Sequence, residues 1–317
     1  MQKTLLATLI AATTLVSSQN ILADGHDEKI SISGVAEVLA TYNDENDKSN
    51  TDLDVDTVEL TVDAQVNELI SASITMAYED DPEGEDDFYV DEAIIVIGEE
   101  DGDISLTLGK TGIPFGVING STWTGPLTDD FTDNTDDLAL VTFGTDSLSA
   151  EVYAFKGDQE HDSNVDNFGA NITFELEDSL SLGAGFLSNI GNTEAFGQGE
   201  DASAFRLNAA YAMGSLELSA EFIQAEELKS LNKAKPSAMH IAADFGTEII
   251  GAPGMVAVGY SSTDDAEDLD LAESMLVVSV SRELGENAET ILEYVNEEPY
   301  GNGDSVNTVN AVLSVSF

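Results

Sequence analysis

Three histidines and a dense population of carboxylates are the side chains of this chain with a claim to chemistry, and their spacing supports little of it. His26 stands in the amino-terminal leader, His161 in a polar connection and His240 in an alternating stretch, with no HExxH pair and no GxSxG elbow beside them. His240 and Asp244 fall on one face of a strand, an arrangement that suits a proton relay and equally suits two ordinary wall residues. There is no cysteine, so disulfides, thiolate metal sites and heme attachment are excluded. The expectation is a protein that is not an enzyme and carries no cofactor and no metal.

The acids are concentrated in connections: 44–52, 80–87 and 264–270 could take divalent cations weakly, but their spacing matches no defined calcium loop and reads as solvated acid. The stretch 226–236 differs, because Lys229, Lys233 and Lys235 could meet lipopolysaccharide phosphates or an anionic ligand, or simply keep a loop soluble. A formal net charge of −52 excludes nucleic acid as a partner. Two explanations account for that acidity equally well, a salt-rich habitat and a selective pore.

What positions these residues is a set of strands. The carboxy-terminal stretch SVNTVNAVLSVSF puts Val309, Ala311, Leu313, Val315 and Phe317 on one face and Thr308, Asn310, Val312, Ser314 and Ser316 on the other. A strand with one apolar side that ends on an aromatic residue must be paired and covered, and closure against the first strand of a barrel achieves this. Its terminal Phe317 resembles the signal by which outer-membrane proteins engage the barrel assembly machinery. Residues 1–23 carry Lys3, an apolar run from Leu5 to Val16 and small residues before Asp24, which reads as a signal peptide cleaved after Ala23. That run of about twelve residues, roughly 18 Å as a helix, is too short to span a membrane.

From residue 29 onward, sixteen period-two stretches recur, at 29–42, 53–66, 70–79, 88–98, 103–110, 137–144, 147–156, 166–176, 179–190, 202–213, 215–225, 237–246, 254–262, 273–283, 287–296 and 305–317. Short turns alternate with long polar connections, and only 246–253 breaks the rhythm. The fold class predicted is all-β: an antiparallel up-and-down barrel of about sixteen strands spanning the bacterial outer membrane, formed by residues 24–317. Alternation places Glu59, Asp63, Glu151, Arg206, Glu217, Glu221, His240, Asp244 and Glu293 on the lumen face. Around residues 89–97 and 275–280 both faces are apolar, so no face is assigned, and an infolded loop would explain it. The longest connection, 111–136, carries too much apolar surface to leave in water. It is expected to fold into the mouth or lumen as a constriction, with Lys110, Pro114, Phe115, Gly116, Trp123, Asp129 and Asp130 as its candidate residues.

Several short motifs carry a family likeness. The run Leu106-Thr107-Leu108-Gly109-Lys110-Thr111-Gly112-Ile113-Pro114-Phe115-Gly116, the later Gly125-Pro126-Leu127-Thr128, the opening Ile32-Ser33-Gly34-Val35-Ala36-Glu37-Val38, Asp56-Thr57-Val58-Glu59-Leu60 and Val90-Asp91-Glu92-Ala93 together resemble the LbtU family of siderophore porins. The likeness spans about residues 30–160, and it lacks the extra amino-terminal segment of larger members. The resemblance implies a barrel without a globular plug that imports a ferric siderophore across the outer membrane. An anionic siderophore would be repelled by the acidic lumen at low salt, which seawater-like salt would screen. The resulting expectation is a porin passing small solutes by diffusion, with ferric-siderophore uptake implied by the family. A general cation-preferring porin is the alternative, and a structural or adhesive barrel blocked by its own loop is the other class. Outer-membrane lipid and lipopolysaccharide are the expected surroundings, and analogy with sixteen-stranded porins admits a homotrimer.

Overall fold

The computed structural model describes residues 30–317 apart from 46–47, 80–86, 100–101, 117–119, 158–164, 177–178, 192, 197–201, 229–232 and 302. The leader 1–23, His26, His161 and Lys229 therefore lie outside the described residues. Sixteen strands follow in order: β1 Ile30–Glu45, β2 Lys48–Asn67, β3 Ile70–Glu79, β4 Asp87–Ile97, β5 Ile104–Gly112, β6 Thr135–Thr145, β7 Leu148–Phe155 and β8 Asn167–Leu176. The second half comprises β9 Leu180–Leu187, β10 Ala204–Met213, β11 Leu216–Ala225, β12 Ser237–Ile249, β13 Ala252–Asp264, β14 Ser274–Gly285, β15 Ala288–Glu298 and β16 Val306–Ser316. Each pairs antiparallel with its neighbours, and β16 pairs with β1, so the sheet closes into a barrel.

The seam is built around the carboxy-terminal aromatic residue. Phe317 and Gly34 exchange backbone hydrogen bonds at 3.0 Å, and the Phe317 ring covers the Gly34 Cα so closely that an added Cβ would stand 2.6 Å from its Cζ. Outward faces are apolar across the middle of the wall, with charged groups such as Lys110, Asp137 and Arg282 toward the rims. Val309, Leu313, Val315 and Phe317 are exposed on β16 while Asn310 and Val312 are buried on its inner face. Outward aromatics collect near both rims: Phe88, Phe168, Phe186, Phe205 and Tyr294 at the end with long connections, Phe143, Phe174, Tyr211 and Phe245 at the end with turns. Two girdles of this kind fit the interfacial zones of a bilayer. Pairs such as Phe168 with Phe186 and Phe205 with Phe222, ring centroids 6.0 Å apart, tie adjacent strands there.

Three expectations need correction. In the acidic stretch 43–52, residues 43–45 and 48–52 are paired strand rather than loop, with Asn43 opposite Asn50 and Asp44 opposite Ser49, because ladder hydrogen bonds form regardless of side-chain polarity. Connection 246–253 is not long: β12 and β13 meet in a two-residue turn at Ile250 and Gly251, both with positive φ as a tight hairpin turn requires. Lys110 belongs to β5 rather than to a loop and shares the outward register face of Ala93 and Asp137, its Nζ donating to the Val90 carbonyl at 2.7 Å.

Replacing Gly34 by leucine should strain the closing seam, costing about 1–3 kcal/mol as core overpacking does. Folded barrels of Gly34→Leu are expected to lose their heat-resistant gel mobility at lower temperature than the parent, and equal thermal resistance would refute this account of the seam.

Candidate functional site: the inserted loop and the lumen

The loop between β5 and β6, residues 113–134, enters the barrel because its apolar side chains find a surface there. Ile113, Phe115 and Phe131 are buried in one cluster with Leu138 of β6, Tyr153 and Phe155 of β7, Leu187 of β9 and Ile223 of β11. Leu127 packs separately on Met275 and Val277 of β14 and Val295 of β15. These contacts explain why the inner face of β14 is apolar: it lies beneath the loop. Burying each phenyl ring contributes roughly 1.5–3 kcal/mol relative to leaving it in water. Pro126 opens a coiled turn in which Asp129 donates to the Pro126 carbonyl at 2.9 Å and Thr132 to the Asp129 carbonyl at 2.7 Å. Gly116 lets the incoming arm run against Thr132 of the outgoing one, where a Cβ would stand 2.3 Å from its Oγ1. A second connection reinforces the first, with Ala195 donating to the Asp130 carbonyl at 2.9 Å and Phe196 meeting Phe131 edge to face.

The far wall holds the loop tip through carboxylates from three strands. Glu293 of β15, 1% exposed, accepts the backbone N–H of Trp123 at 2.8 Å and of Thr124 at 3.0 Å, one on each oxygen. Asp244 of β12 accepts from Ser121 Oγ at 3.0 Å, and Glu37 of β1 accepts the Trp123 indole N–H at 3.2 Å. Charge-assisted bonds of this kind are about twice as strong as neutral ones. Beneath the loop's entry, Asn171 of β8 donates to the Pro114 carbonyl and, at 2.9 Å, to Glu151. Arg206, 2% exposed, pairs with Glu221 at 3.6 Å, in space kept by Gly185, whose absent Cβ would stand 3.2 Å from Arg206 Nε. His240 Nδ1 and Ser261 Oγ are hydrogen-bonded at 3.0 Å, while His240 Nε2 faces Gly120 without a hydrogen-bond partner among the described residues.

The nine predicted lumen residues therefore separate into two groups. Arg206, Glu221, His240, Asp244 and Glu293 are buried under the loop, whereas Glu59, Asp63, Glu151 and Glu217 keep access to water. Trp123, Asp129 and Asp130 are partly exposed, with Phe115 fully buried below them. Alternation along β1 would have shown Glu37 on the face of Val35, Leu39 and Thr41, and Glu92 was hidden by a break in phase within β4. Ser121, a loop residue, left no periodic signal. Among the described residues no group of three or more His, Cys, Asp or Glu is placed to hold a metal.

The lumen is filled on one side only. Among the described residues, buried inward side chains come from β6 to β16, while β1 and β2 contribute none and β3 only Thr75 and Ala77. On the uncovered arc, the register places Glu37, Asp52, Asp54, Glu59, Asp63 and Glu92 on the inner face, all acidic, with Lys48 on the same face at the rim where β1 and β2 connect.

A family model described as Gram-negative porin matches residues 6–299. Similar solved structures include an anion-selective porin from Comamonas acidovorans, at TM-score 0.67 and 14% identity, covering 91% of this chain and 99% of that one. Another is Salmonella typhi OmpF in complex with daunomycin, at TM-score 0.66 and 15% identity, covering 91% and 97%. OmpT of Vibrio cholerae lacking loop L8 gives TM-score 0.64 at 12% identity over 92% of this chain and all of that one. Among curated proteins, a UPF0422 protein of Coxiella burnetii is 24% identical over 268 residues. The chain spans 57% of that relative's length.

Two outcomes follow from the loop's anchoring. Glu293→Ala leaves two partly buried N–H groups without their acceptor, at up to about 1–3 kcal/mol each, so the loop should become protease-sensitive and the open channel noisier. Desolvation, then Glu221, Asp130 and Asp133, push the Asp129 carboxyl from 3.8 up to about 8. Because the docked value lies above the undocked one, docking gains most below about pH 4 and loses that contribution as pH rises to about 8. Current fluctuations should grow over that range, and Asp129→Asn should flatten the dependence.

Proposed function

The chain belongs to the Gram-negative porin family, and from that premise we propose that its diffusion channel prefers cations and runs along the uncovered arc of β1 to β5. Family and fold mark it as an outer-membrane diffusion channel rather than an enzyme. The observation that carries the proposal is the asymmetry of charge: Arg206 is neutralised by Glu221 beneath the loop, and below the rim that holds Lys48 the inward charged residues of the uncovered arc are acids. Fixed carboxylates along a narrow aqueous path raise the local cation concentration and repel anions, by an amount that falls as salt rises. Outer-membrane lipid and lipopolysaccharide surround the girdled wall. A homotrimer, a leader at 1–23 and recognition of the strand ending in Phe317 by the barrel assembly machinery complete this reading.

Ferric-siderophore uptake is the second reading, and the motifs within residues 30–160 favour it. The inserted loop leaves it a narrower passage than an unfilled barrel would, and the acids of the arc oppose an anionic complex. Planar-bilayer recordings under a low-salt gradient separate the two. A zero-current potential on the cation side is expected, and one on the anion side would sink the proposal. Saturable block by a ferric siderophore would transfer support to uptake, and no conductance at all would mean a structural barrel.

A further inference from the structure

We infer that Glu37 and Glu92 are the specificity-determining side chains of this channel, set against the tip and the root of the inserted loop. This deepens the cation-preferring reading and rests on it. The inference starts from the register of the wall. Opposite Glu37, pairing passes from Ala36 with Val58 to Val38 with Val55, so that Asp56 and Thr57 of β2 share one position. Between β3 and β4, pairing passes from Thr75 with Glu92 to Met76 with Val90, leaving Asp91 as the extra residue. The other register shifts, at Gln65/Asn67 and Glu283/Gly285, lie beside tight turns. Among the described strands, the bulges in the interior of the wall thus fall in β2 and β4, both on the arc that the loop leaves open.

A bulge exchanges the faces of everything beyond it. In β4, Tyr89 pairs with the buried inward Ala77, and unbroken alternation from it would send Asp91, Ala93 and Ile95 inward and Glu92 toward lipid. The extra residue reverses this: Glu92 comes level with the buried Thr75, and Ile95 and Ile97 turn outward, 49% and 41% exposed. Glu92 then accepts a hydrogen bond from Thr111, at the point where β5 leads into the loop. In β2 the bulge turns Leu53 and Val55 outward and brings Asp54 level with Leu39 on the inner face. At the same height Glu37 holds the Trp123 indole.

Glu37 therefore touches the loop, and Glu92 the strand residue that leads into it, while both stand on the open arc. A carboxylate held by such a bond stays at a fixed distance from a passing ion, and the charge of a partly desolvated group acts more strongly than that of a mobile side chain in bulk water. The buried anchors Glu293 and Asp244 serve differently: their charge is spent on loop groups and lies away from the path. The break in β4 thus turns Glu92 to the inner face, and the break in β2 adds Asp54 to that face near Glu37, which the alternation of β1 already points inward.

Glu37→Gln and Glu92→Gln keep an oxygen to accept from Trp123 and Thr111 while removing the charge. In low salt, each is expected to lower the cation-to-anion permeability ratio by about two- to five-fold, the double variant by more, with the effect fading near molar salt. Asp146→Asn, in the turn between β6 and β7, should leave the ratio unchanged. Since the chain has no cysteine, the bulge can be tested directly. A thiol introduced by Glu92→Cys should react with a charged, membrane-impermeant thiosulfonate and reduce the current, whereas Ile95→Cys should not. A double Gln variant as cation-preferring as the parent, or a reactive residue 95 with an inert residue 92, overturns the inference. A parent channel without cation preference overturns instead the reading on which it rests.

Discussion

Hydrocarbon supplies no hydrogen-bond partner, so each N–H and C=O of a wall that crosses it must be satisfied within the wall. For strands this leaves one solution, a sheet with no edge. The pairing of β16 with β1, closed by the mutual bonds of Phe317 and Gly34, is the contact on which the remainder depends. Once the sheet is closed, the pleat determines what each strand presents to lipid and to the interior. Alternate apolar residues such as Phe168, Ala170, Ile172 and Phe174 turn outward, and their neighbours Asn171, Thr173 and Glu175 turn inward.

Closure also creates a cavity that sixteen strands leave wide enough for water. The 113–134 loop answers with apolar groups that would otherwise be exposed, and it docks against one side because the complementary surface is there: Tyr153, Phe155, Leu187 and Ile223 on one flank, Met275 and Val277 on the other. The acids of the lumen then take on two kinds of work. Those under the loop accept its N–H and O–H groups, and those facing it on β1 to β4 remain in contact with water. A residue's place on the inner face does not decide between these tasks; whether the loop covers it does.

Much of the architecture was legible from residue order. The number of strands, their approximate bounds, the alternation of short and long connections and the inward column of β10 to β12 all follow from a period of two and from turn residues. The misreadings have local physical causes. Residues 43–45 and 48–52 of the polar stretch pair because ladder bonds are indifferent to side-chain polarity. Residues 246–253 close tightly because Ile250 accepts a positive φ that its side chain gives no reason to expect. The face of β4 could not be assigned because Asp91 shifts the phase midway, so neither half of the strand has the parity of the whole.

By itself, then, the order of residues determined a closed, membrane-spanning sheet with a charged interior and one long apolar insertion, since a period of two is a property of the backbone and survives without knowledge of neighbours. Which acids meet water was decided only in three dimensions. Glu293 and Glu59 look alike in sequence, each an acid among alternating apolar residues, yet one lies sealed beneath Trp123 and the other on an open wall. That difference comes from contacts between residues about 170 positions apart, for which no local pattern exists.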